Sequence, residues 1–123
     1  MTEAESRLLP LACGIRWPGG SYIEVARLAI ADSHLKDYFG RDLISGDEPG
    51  LGPWRSIGMQ SASGATAELI SYDVEEGQGF TLRIDAISDP CSVFNEIVDE
   101  LVPSMDEVLW RSPLTERTQK GRQ

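Results

Sequence analysis

Thr66 to Ile87, TAELISYDVEEGQGFTLRIDAI, is the stretch on which the fold turns. On either side of EEGQG the residues alternate: Ala67, Leu69 and Ser71 against Glu68, Ile70 and Tyr72, then Phe80, Leu82 and Ile84 against Thr81 and Arg83. A period of two sends successive side chains to opposite faces of a strand, so the stretch predicts an antiparallel hairpin. Read instead as a calcium loop from Asp73, it has Gln78 where the sixth-place glycine belongs and Ile84 where a bidentate Glu is required. A turn is the better reading.

Downstream, Asp89 is suited to cap a helix and Pro90 to open it. At 100° per residue, Cys91, Val93, Phe94, Ile97, Val98, Leu101 and Val102 fall in one half-circle, with Ser92, Asn95, Glu96, Asp99 and Glu100 in the other. This predicts an amphipathic helix from residue 90 to 102, ended or kinked by Pro103. Ser104 and Glu107 have the spacing to cap a further turn, and VLWRSP reads as a strand or short helix. Residues 113–123 are expected to be a polar, disordered tail.

Upstream, two apolar segments flank PGGS, Pro18 to Ser21, predicting a first hairpin of residues 8–16 and 22–30; the competing reading is a helix from Tyr22. Asp32 or Ser33 can cap a short helix that Gly40 stops. Residues 45–64 are rich in Gly and Pro and read as an irregular loop, with a short strand between Arg55 and Gln60. Hairpins plus helices without β-α-β alternation give an α+β class. The expectation is one domain over residues 1–112, with an antiparallel sheet of four or five strands and the C-terminal amphipathic helix packed on one face.

With 11 basic and 20 acidic residues in 123, the chain carries −9, a balance that opposes nucleic-acid backbones and anionic membranes and favours a basic protein partner. Leu8 to Ala12 is too short for a signal-peptide core and no run reaches a membrane span, so a soluble, cytoplasmic protein is expected. Cys13 and Cys91 lie outside any C-x-x-C pattern and read as small buried hydrophobes, a disulfide being the lesser alternative.

The acid is regional. From Asp42 to Trp110 there are fourteen acidic residues against Arg55 and Arg83, a net of −12. Glu96 and Glu100 stand i,i+4, a like-charge spacing that disfavours an isolated helix. His34 in DSHLKD cannot form a triad with Ser33 and Asp32, since adjacent helical positions point apart. One His and two distant Cys do not make a zinc site, and the glycines form no phosphate cradle. No cofactor, metal or catalytic role is therefore expected.

These readings predict a non-catalytic acidic binding protein, monomeric or homodimeric, for a basic protein. An immunity protein that neutralises a bacterial toxin is the leading form, a secretion chaperone for an effector the other. The expected contact residues are Glu96, Asp99, Glu100, Asp106 and Glu107, with Trp54 and Arg55 added because Trp and Arg on a loop suit a binding hot spot. The alternative is a small enzyme or ligand-binding domain with a pocket under the 45–64 loop, marked by a buried carboxylate beside Trp54.

Overall fold

The strands β5 (Thr66–Tyr72) and β6 (Phe80–Asp85) pair antiparallel, as the alternation predicts, with Leu69 opposite Leu82 and Glu68 opposite Arg83. The computed structural model describes residues 8–11, 15, 17–73 and 79–116, so residues 74–78 of the connecting turn and Cys13 lie outside the described residues. Around this pair the described residues build a mixed α/β structure of two helices and one seven-stranded antiparallel sheet, larger than the four or five strands expected. Its order is β1 (Leu9–Pro10), β4 (Gly52–Gln60), β5, β6, β2 (Tyr22–Leu28), β7 (Val108–Arg111), with β3 (Ile44–Glu48) also paired to β4.

Three readings need correction. The segment 22–30 is a strand, β2 (Tyr22–Leu28), but it does not form a hairpin with the chain before it; it lies between β6 and β7 (Val108–Arg111). Among the described residues the earlier segment contributes β1 (Leu9–Pro10), paired to β4. Pro10 lacks an N–H for an extended ladder, and the 3₁₀ turn Pro18–Gly20 intervenes between the two segments. Next, the supposed loop is a hairpin of β3 (Ile44–Glu48) and β4 (Gly52–Gln60). β3 is largely solvent-exposed, so it has no reason to alternate apolar and polar residues, and Pro53 sits at the second position of β4, where a proline is tolerated. Finally, the expected tail is still ordered through the 3₁₀ turn Pro113–Glu116, where Thr115 is buried.

Helix α1 (Asp32–Phe39) starts one residue earlier than an Asp32 cap and two earlier than a Ser33 cap implies, with Ala31 at the cap position and no side-chain cap. It stops at Gly40, whose left-handed backbone (φ 69°) lets its N–H donate to the Lys36 carbonyl. Helix α2 (Pro90–Leu101) begins as read: the Asp89 carboxylate accepts from the Ser92 N–H at 2.9 Å. After it, the Ser104 hydroxyl accepts from the Asp106 N–H and opens the 3₁₀ turn Met105–Glu107, which leads into β7.

Strand alternation divides the sheet into two faces. Leu28, Ile57, Met59, Ala67, Leu69, Phe80, Leu82 and Ile84 belong to one buried cluster with Leu35 and Phe39 of α1 and Val93, Phe94, Ile97, Val98 and Leu101 of α2. Full burial of each large aliphatic or aromatic side chain contributes roughly 1.5–3 kcal/mol, so this face dominates stability. The second face carries Trp54, Ser56, Glu68, Ile70, Tyr72 and Arg83. No described helix is long and apolar enough to cross a membrane.

Candidate functional site

The acidic residues expected to act together fall into different environments. Glu96 is turned toward the β4–β5 turn, where its carboxylate accepts from the Ala62 N–H and the Ser63 hydroxyl. Glu100 accepts from the Tyr38 hydroxyl of α1. Both carboxylates are engaged within the fold, and the like-charge spacing on α2 is offset by separate donors. Asp99 and Asp106 are exposed, while Glu107 is half-buried and its backbone carbonyl accepts from the Ala29 N–H.

The segment around Asp106 has a feature the charge count does not reveal. Met105, Leu109, Trp110 and Leu114 are all exposed, four large apolar side chains within ten residues, and Trp110 leaves 50% of its surface accessible. Trp110 stands opposite Arg27 on β2, and Leu109 occupies a bulge between that pair and the Leu28–Val108 pair. A bulged edge strand of four residues is a poor template for strand addition. It presents side chains instead.

Trp54 and Arg55, adjacent in sequence, point to opposite faces of β4. Arg55 lies beside α1: its Nε is 2.6 Å from Asp32, its Nη1 3.5 Å from Asp73, and its guanidinium lies over the Phe80 ring. These residues line an open cleft of about 760 Å³ that also includes Ser71. With a pair this exposed, the Asp32 bridge contributes modestly, about 0.2–1 kcal/mol.

Trp54 faces a cavity of about 290 Å³ lined by Ile15, Trp17, Ile44, Glu48, Trp54, Ser56, Glu68, Ile70, Tyr72 and Arg83. The sheet register builds it. Glu24, Arg83 and Glu68 lie side by side across β2, β6 and β5, and Arg83 is 3.2 Å from Glu24 but 3.5 Å from Glu68. The Tyr22 ring lies under the guanidinium at 4.6 Å, and the Tyr72 hydroxyl donates to Glu48 at 3.0 Å. Two glycines make room. A Cβ on Gly46 would lie 2.4 Å from the Trp54 ring, and one on Gly58 2.2 Å from Ile15, so the indole and the isoleucine lie directly on backbone.

Glu68 has only 12% of its side chain exposed, and burial raises its carboxyl above the ordinary value of 4.5 despite the lowering influence of Arg83 and the Ser56 hydroxyl. Sequence reading missed Glu68, Arg83, Glu48, Tyr72 and Trp17 as members of one site. The available signal was the opposite charge of Glu68 and Arg83 at outward positions of a recognisable hairpin. Comparison with protein-family models, with curated proteins and with solved structures found no match to this chain.

Proposed function

We propose that the chain is a non-catalytic binding protein for a basic protein, acting in the manner of an immunity protein that neutralises a toxin. The observation that carries this reading is the exposed group Met105, Leu109, Trp110 and Leu114, bordered in sequence by Asp106 and Glu107. An apolar centre containing Trp with a charged rim is the composition of a protein interface, and an anionic rim selects a cationic partner and speeds its approach. In this reading α2 lies with its apolar side on the core face of the sheet and turns Asp99 outward, extending the anionic rim. The free thiol of Cys91 suits a reducing, cytoplasmic setting. Glu96, Glu100, Trp54 and Arg55 drop out of the expected contact set, because each is directed to other parts of the fold.

The test is capture from a lysate of the source cells with three baits: the wild type, Trp110→Ala, and the pair Asp99→Lys with Asp106→Lys. The captured protein is then purified and titrated at low and high salt. Expected is one basic protein, bound at least tenfold more weakly by each variant and more slowly associating in salt. Equal affinity for all three baits would remove this surface from the function.

A further inference from the structure

We propose that the cavity beside Trp54 is a binding site for a compact alkylated ammonium ion, received by the Trp17, Trp54 and Tyr72 side chains and by the carboxylate of Glu68. This site is separate from the proposed partner surface: Trp110 stands on β7, and β2, β6 and β5 lie between that strand and β4.

Charge sets the sign of the ligand. Among the described residues the lining contains Glu48 and Glu68 against Arg83, and Arg83 is shared between Glu24, at the shorter distance, and Glu68. The Arg83 contact to Glu68, at 3.5 Å, is at the limit of a hydrogen bond. Glu68 is thus a mostly buried carboxylate, 12% exposed, whose contacts with Arg83 and the Ser56 hydroxyl do not offset its burial, and a further cation beside it would restore the balance.

The walls set the ligand class. Besides the carboxylates, the lining is largely aromatic or aliphatic: Ile15, Trp17, Ile44, Trp54, Ile70 and Tyr72. Among the described residues it contains neither His nor Cys, and no group of three or more His, Cys, Asp or Glu is placed to hold a metal ion. A strongly hydrated cation would lose water here without gaining enough oxygen acceptors. An alkylated ammonium loses little hydration, fits apolar walls and is attracted to the faces of aromatic rings. The cavity volume matches such a small ion, and Gly46, having no Cβ, leaves the Trp54 ring its place against β3. Preorganisation of this kind lowers the entropy lost on binding.

The experiment titrates choline and its neutral isostere 3,3-dimethylbutan-1-ol into the full chain, followed by calorimetry and tryptophan emission. Expected is saturable binding of choline, at least tenfold weaker binding of the neutral isostere, and about a tenfold loss of choline affinity in Glu68→Gln and Trp54→Leu. Trp110→Ala should bind choline as the wild type does, which separates this result from the fate of the partner surface. Choline affinity should also rise with pH as Glu68 ionises. Circular dichroism establishes that each variant is folded, and Glu68→Gln, nearly isosteric, keeps the test sound if Trp54→Leu unfolds. No saturable binding of choline, equal binding of the two isosteres, or full affinity in the folded Glu68→Gln variant would each overturn the proposal.

Discussion

Because burial raises the Glu68 carboxyl above its ordinary value, the folded chain holds that proton more readily than the unfolded chain does. Stability from this group is therefore greatest below the unfolded value of 4.5 and is lost as pH rises through the folded value. Glu68→Gln should melt at a higher temperature than the wild type at neutral pH, with the difference closing in acid; thermal melts across pH read this directly. A carboxylate that persists where its charge opposes folding fits a binding role better than a structural one. Its neighbour Gly46 yields a second prediction. Gly46→Ala forces a Cβ into the Trp54 ring, so about 1–3 kcal/mol of stability should be lost and the tryptophan emission should shift. Trp54 could be singled out in the sequence by its setting among Gly and Pro. Glu68 was marked only by the opposite charge of Arg83 on the facing strand, a signal that gains meaning once the register puts the two side by side.

The last turn of α2 is secured from α1. His34 and Tyr38, i and i+4 on that helix, reach the Leu101 carbonyl at 2.9 Å and the Glu100 carboxylate. The Leu101 contact requires the imidazole Nε2 to carry a proton and donate it, which satisfies one of the carbonyls a helix end leaves without a partner. His34→Ala should cost about 1 kcal/mol in a denaturant titration, and hydrogen exchange should quicken selectively at the C-terminal turn of α2. The histidine that sequence reading dismissed as a triad member is thus a tie between helices. Legibility followed locality at this scale. The hairpin of β5 and β6, both helices and the Asp89 cap are encoded within a few residues of themselves, by period, capping group and stop signal. β3 carries no apolar period because little of it is buried. β2 was legible as one of two possibilities, whereas its partners β6 and β7 are fixed by packing across the whole chain.

Across the molecule, the net −12 between Asp42 and Trp110 makes the folded state repel itself, and salt screens that repulsion. Raising ionic strength should therefore raise the melting temperature by a few degrees, measurable by calorimetry in a monovalent salt. The charge balance was readable from composition, but its distribution was not: Glu96, Glu100 and Asp89 serve as acceptors within the fold, while Asp99 and Asp106 face solvent. The sheet order has a consequence for the birth of the chain. β2 is synthesised early, yet its two neighbours are β6, completed at Asp85, and β7, completed at Arg111. The hairpins β3–β4 and β5–β6 can close while the ribosome is still working. β2 must wait for most of the chain with Val25, Ala26 and Leu28 uncovered, so the interval between its emergence and that of β7 is when this protein most needs a chaperone.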